Sequence, residues 1–151
     1  MERTKIILAV EDSDEDFAAF TRVLKDFPQN NISIRRARDG DEALDYLYYR
    51  GEYEDPARAP RPSLILLDLN LPGTDGREVI EEIKRDQELK KLPVVVLTTS
   101  SSPKDVQTCY SYGVNSYLIK PIGVEELKST IRAFLNYWFA AVVLPDADLQ
   151  H

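Results

Sequence analysis

The sequence predicts a doubly wound α/β fold: a five-stranded parallel sheet with helices on both faces. Short apolar runs of strand length alternate with segments whose apolar residues recur at helical spacing, the pattern of repeated βα units. Leu64–Leu67 and Leu92–Thr98 read as strands buried on both faces, the kind found in the middle of a parallel sheet. The chain has 151 residues, 43% hydrophobic and 30% charged, which suits one soluble domain with a single core and no staples.

Lys5–Val10 is the first strand, and it ends in Glu11 and Asp12. Ser13 with Asp16 three residues on approximates a capping box. Phe17, Phe20, Val23, Leu24 and Phe27 follow at helical spacing until Pro28 stops the pattern. The alternation in Ile32–Arg36 suggests a second strand near the sheet edge, and Asp39 with Glu42 opens a helix through Ala43, Leu44, Leu47 and Tyr48. Gly51–Ser63 carries three prolines and no period, and it exceeds the usual connection of about 2–6 residues. After the third strand, Asp75 and Glu78 cap a helix with Val79, Ile80 and Ile83 inward. The fourth strand ends in the hydroxyls Thr98 to Ser102, and Pro103 then opens a helix that stops at Gly113. Ser116–Ile119 is the fifth strand, terminating in Lys120-Pro121. A last helix runs from about Val124 through Trp138 and on toward Val142, closed by Pro145. The domain is expected over 1–144, with a loose polar tail over 145–151.

Right-handed crossovers bring the carboxyl ends of all the parallel strands to one edge, where ligands of open α/β sheets bind. Glu11, Asp12, Asp68, Thr98 and Lys120 therefore face one crevice. Crowded carboxylates repel, and their pKa values rise unless a cation sits among them. Mg²⁺ is the expected cation, because it takes few carboxylates, several waters and a phosphate oxygen. A carboxylate held beside Mg²⁺ can attack a phosphoryl group to give an aspartyl phosphate, whose oxygens the Lys120 ammonium and Thr98 hydroxyl suit. Asp14, Glu15 and Asp16 carry no such reading, since acids in a first helical turn favour the macrodipole without further purpose.

Together Glu11-Asp12, Asp68 in LLDLNLPGTDG, Thr98 in VVVLTTSS and Lys120-Pro121 in NSYLIKPI resemble the receiver domain of two-component response regulators. The likeness spans nearly the whole chain. It implies the flavodoxin-like strand order 2-1-3-4-5, Asp68 as phosphoacceptor, and Mg²⁺ held by Glu11, Asp12, Asp68 and the backbone carbonyl of Asn70. It implies Lys120 beside Asp68 or its phosphoryl group, Thr98 on a phosphoryl oxygen, and a commonly cis Lys120–Pro121 bond. Tyr117 stands at the family's aromatic switch position, where Thr98 drawn inward would vacate space for the Tyr117 ring. Glu11 replaces a more usual Asp, and Thr99 stands where Ala is frequent; neither removes a required group.

The loop Gly51–Ser63 and the stretch Phe134–Pro145 resemble the single-domain response regulators paired with bacterial, cyanobacterial-type phytochromes. That likeness implies a phytochrome histidine kinase as partner. No output domain follows the last helix in this sequence, so output is expected through protein contacts. Phe134, Tyr137, Trp138, Phe139 and Val142 leave that helix apolar nearly all round, which predicts a symmetric homodimer through it, joined by the fourth helix and fifth strand; folding back onto its own domain is the bland alternative.

Net charge of −7 without a basic run argues against nucleic acid, and no apolar segment predicts a membrane span. A lone Cys109 suits a reducing compartment, so the cytoplasm is expected. His151 is the only histidine and terminal, which implies an external phosphohistidine donor. The chain reads as a signalling protein rather than an enzyme. A Mg²⁺-dependent phosphatase is the rival chemistry, but Asn70 stands where its general acid would be. No P-loop or GxGxxG supports a nucleotide or flavin binder. A phosphorylation-independent interaction module is the remaining alternative.

Overall fold

Five parallel strands in the order β2-β1-β3-β4-β5 form the centre of the computed structural model, which describes residues 4–29 and 31–145. The strands are β1 (Lys5–Val10), β2 (Ile32–Ala37), β3 (Leu64–Leu67), β4 (Val94–Thr98) and β5 (Ser116–Ile119). The helices are α1 (Asp14–Asp26), α2 (Gly40–Tyr48), α3 (Gly76–Arg85), α4 (Pro103–Tyr112) and α5 (Val124–Asn136). This is the flavodoxin-like arrangement, with the order reversing between β1 and β3. Beyond Pro145 the expected tail lies outside the described residues.

The period of two along each strand divides the core into two layers. Ile65 and Leu67 join Leu8, Val10, Val94 and Val96 under α2, α3 and α4. Leu64 and Leu66 join Ile7, Val95 and Leu97 under α1 and α5. All four residues of β3 are buried, as a central strand covered on both faces must be. The edge strand β2 is only partly buried until Ala37, in keeping with its alternation.

Helix starts follow the residues that signalled them. Ser13, Asp39, Asp75 and Ser102 each accept a backbone N–H from the first turn they precede. Only half of the capping box at Ser13 forms: Ser13 Oγ accepts from the Asp16 amide, while the Asp16 carboxylate turns to Lys120. At α4, Gly113 takes φ 104° and closes the helix in the left-handed region. The aperiodic segment after α2 contains two short 3₁₀ turns, Gly51–Tyr53 and Pro56–Arg58. It is pinned by the Tyr46 hydroxyl on the Pro60 carbonyl and by Arg61 on the Leu47 carbonyl.

The C-terminal extension departs from the expected contact surface. After Asn136 the helix widens into a π-helical turn, Tyr137–Ala141, that re-aims the side chains following it. Phe134, Trp138 and Phe139 are buried in the α1/α5 layer with Phe20 and Leu144, and Val142 packs against them. Gln29 ties the turn down by donating to the Phe139 carbonyl at 2.7 Å. Of the five residues expected at a dimer contact, Tyr137 alone is exposed. The apolar faces meet their own domain because the wider turn rotates them onto it. Lys120–Pro121, for which the family likeness implied a cis bond, is trans, the lower-energy isomer.

Candidate functional site

The alternation that sorts the core also sorts the polar groups at the strand ends. Asp68 continues the Leu64–Leu66 series, Glu11 the Ile7 series and Lys120 the Leu118 series, all toward α1 and α5. Thr98 continues Val94 and Val96 toward α3 and α4, the layer against which Tyr117 packs. Two polar clusters result, one on each side of the sheet edge.

Lys120 centres the first. Its Nζ lies 2.7 Å from Glu11 Oε1, 2.8 Å from Asp16 Oδ2 and 2.9 Å from Asp68 Oδ2, with the Lys120 side chain only 5% exposed. An ammonium carries three protons, and three carboxylates take them. Burial alone would lower the Lys120 pKa, but hydrogen bonds to Asp16, Glu11 and Asp68 outweigh it and the net displacement is upward. Lys120 is therefore a fixed cation. Burial pushes the Glu11 carboxyl up from its ordinary value, against the pull of Lys120. The second oxygen of Glu11 accepts from the Ser13 amide at 3.1 Å. The second oxygen of Asp68 accepts from the Asn70 amide at 3.2 Å, which folds the chain back beneath the carboxylate.

Glu11, Asp12 and Asp68 each offer an oxygen within 4.8 Å of the others. These hard, anionic donors fit a divalent cation, with exposed Asp12 and Asn70 on the open side. The floor is tight. A Cβ at Gly76 would come within 2.5 Å of the Asp68 carbonyl and 2.6 Å of Leu69 Cα, so glycine lets α3 start directly against the turn after β3.

The second cluster centres on Arg77. Its Nε and Nη2 hold Asp105 Oδ1 and Oδ2 at 2.9 and 2.8 Å, a bidentate pair joining α3 to α4, and Nη1 reaches Asp75 at 3.0 Å. The Ser100 hydroxyl donates to Asp105 Oδ2 at 2.6 Å, and the Tyr117 hydroxyl donates to the Ser100 carbonyl at 2.9 Å. The Arg77 guanidinium, helped by Ser100, holds the Asp105 carboxyl down at about 2. Thr98 is fully buried, with Oγ1 3.5 Å from the Ser100 amide. The two clusters are joined by main chain: the Lys120 amide donates to the Thr98 carbonyl at 2.7 Å.

Of the expected site residues, Glu11, Asp68 and Lys120 are in direct contact or share one cation, Asp12 flanks them, and Thr98 adjoins through that backbone bond. Sequence reasoning missed Asp16, assigned to the capping box and the helix dipole, and it missed Arg77, Asp105 and Ser100. Asp16 does lie in the first turn of α1, four residues after Asp12, and that nearness in sequence was its one signal.

The carboxyl edge of this doubly wound sheet thus holds clustered acids around a buried lysine, the arrangement of a divalent-cation and anion site. The chain belongs to the response regulator receiver domain family, whose model matches residues 7–132. It is 46% identical over 143 residues to the response regulator Rcp1 of Synechocystis sp., covering 95% of each chain. The Mn²⁺-bound form of Rcp1 superposes with a TM-score of 0.89 at 44% identity, covering 94% of this chain and 99% of that one. The phosphorylated cyanobacterial phytochrome response regulator RcpA gives 0.88 at 41% identity, with the same coverage. This chain is thus a receiver-type response regulator with phytochrome-associated relatives. Among the described residues no helix is long and apolar enough to cross a membrane.

Proposed function

We propose that Asp68 accepts a phosphoryl group from the phosphohistidine of a sensor kinase, and that the phosphorylated chain signals through protein contacts. The observation that carries this reading is the 2.9 Å contact between Lys120 Nζ and an Asp68 carboxylate that is buried at the carboxyl end of β3. A lone pair on an Asp68 carboxylate oxygen attacks phosphorus, the P–N bond to the donor imidazole breaks, and the imidazole leaves. Hydrolysis of the acyl phosphate later returns Asp68 and inorganic phosphate. When bound by Glu11, Asp12, Asp68 and the Asn70 carbonyl, Mg²⁺ supplies charge for the phosphoryl oxygens. Lys120 supplies a second, permanent charge from the buried side.

The proposed switch couples Thr98 to Tyr117. Thr98 moves toward a phosphoryl oxygen, and the Tyr117 ring, anchored through its hydroxyl to Ser100, follows the β4–α4 loop. A phytochrome is the proposed kinase, supported by the RcpA and Rcp1 likeness, and the cytoplasm is the proposed compartment. Homodimerisation belongs to the same proposal but draws on Tyr110, Ile119, Ile122, Val124 and Tyr137, which expose large apolar area, rather than on the buried Phe134, Trp138 and Phe139. A monomer by sedimentation at high micromolar concentration removes the dimer.

Intact mass after incubation with Mg²⁺ and acetyl phosphate tests the central step. One phosphate adduct is expected, absent without Mg²⁺ and absent in Asp68→Asn. An adduct that persists in Asp68→Asn overturns the assignment of the phosphoacceptor.

A further inference from the structure

Lys120 shares its three protons unequally in one respect: two of its acceptors have a second use and one does not. Glu11 and Asp68 belong to the acidic set whose oxygens lie within 4.8 Å of one another with Asp12. Asp16 is outside that set, yet it holds Lys120 Nζ at 2.8 Å. Its backbone is fixed, because Ser13 Oγ accepts the Asp16 amide and begins α1 there. A divalent cation and Lys120 therefore compete for Glu11 and Asp68, whereas Asp16 belongs to Lys120 alone.

We propose that Asp16 is a positioning residue that anchors the Lys120 ammonium when the cation draws Glu11 and Asp68 away, and thereby sets divalent affinity. The inference rests on the receiver reading of the site. Without Asp16 the ammonium has two acceptors left, both of them metal-binding carboxylates, and it holds them against the incoming cation. The counterpart explanation is simple charge: an acid near the site attracts any cation whatever Lys120 does. The two explanations part when Lys120 is absent. An effect carried by Lys120 disappears in that background, and a plain charge effect persists.

The test is Mn²⁺ binding, read from the free-ion electron spin resonance signal, in the wild type, Asp16→Asn, Glu15→Gln, Lys120→Met and the Asp16→Asn/Lys120→Met double variant. Glu15 is the control because it sits in the same helical turn, exposed. Asp16→Asn is expected to weaken Mn²⁺ about tenfold, the scale of an outer partner of metal ligands. Glu15→Gln is expected to leave it unchanged, and Asp16→Asn is expected to add little in the Lys120→Met background. Equal losses in Asp16→Asn and Glu15→Gln, or a full loss retained without Lys120, overturns the proposal while leaving the site itself intact. A wild type that does not bind Mn²⁺ overturns both. A second readout needs no Lys120 variant: the Lys120 ammonium protons, seen by nitrogen-15 NMR, exchange faster in Asp16→Asn and unchanged in Glu15→Gln if Asp16 anchors them. Unchanged exchange in Asp16→Asn also overturns the proposal.

Discussion

Two cations organise the carboxyl edge of the sheet, and they do so in opposite ways. Lys120 is a compact charge buried among three carboxylates that follow β1, sit in α1 and follow β3. Arg77 is a planar fork, 29% exposed, that grips Asp105 with two parallel bonds and Asp75 with a third nitrogen. A lysine can be shared and released one acceptor at a time, whereas a bidentate arginine fixes direction as well as distance. The first cluster can give up its acceptors one at a time. The second holds the N-terminal ends of α3 and α4 in register and, through Ser100, sets the seat of Tyr117.

Removing each cation separates the two most sharply. Lys120→Met strands three acids near one another, two of them buried, and breaking a buried ion pair in this way costs about 3–5 kcal/mol. Urea unfolding without divalent ions is expected to show that loss, and Mg²⁺ is expected to restore more stability to this variant than to the wild type. Preferential binding of the folded state returns about 2.7 kcal/mol at a hundredfold excess over Kd. Arg77→Met is expected to cost less, about 1 kcal/mol given its exposure, with no Mg²⁺ dependence in the loss. Arg77→Lys should recover little of it, because an ammonium cannot reproduce the fork.

Acid distinguishes the clusters next. The folded Asp105 carboxyl is held at about 2, below its ordinary 3.8, so its contribution is complete above pH 4 and is lost as pH falls toward 2. The difference in urea midpoint between wild type and Asp105→Asn should therefore shrink over that window and stay constant above it. Cys109 gives a finer probe of the Arg77 side. It is fully buried on α4, and burial pushes its thiol to about 11. Labelling by a disulfide reagent at pH 8 is expected to be slow in the wild type, faster in Arg77→Met, and unaffected by Lys120→Met in saturating Mg²⁺. The smallest effect belongs to Asp14, which pairs with Arg36 and Arg38 while its own side chain stays 78% exposed. Asp14→Ala should leave the thermal midpoint unchanged.

The strand-end groups were legible because a buried apolar run that stops at a polar residue marks both a strand and its edge. Asp68 after Leu64–Leu67 and Glu11 after Ile7–Val10 are of this kind. Asp16 was not legible as a partner of Lys120, because an acid in a first helical turn has a sufficient local explanation and only the rotation of α1 about its axis decides between the two. Arg77 and Asp105 lie on different helices, and nothing in either helix announces the pairing. The burial of Phe134, Trp138 and Phe139 in their own domain was not legible for a related reason. Helical periodicity assumes a constant turn, and the π-helical turn at Tyr137–Ala141 changes the angle between Phe134 and Trp138.

The Lys120 amide and the Thr98 carbonyl, 2.7 Å apart, are the direct bridge between the two clusters. Both atoms are main chain, and every residue but proline supplies the donor. Substitution can therefore retune the side chains on either side of the sheet while the bond between the two clusters stays the same. A chain built this way can vary the chemistry of each cluster without losing the main-chain register that sets them beside each other.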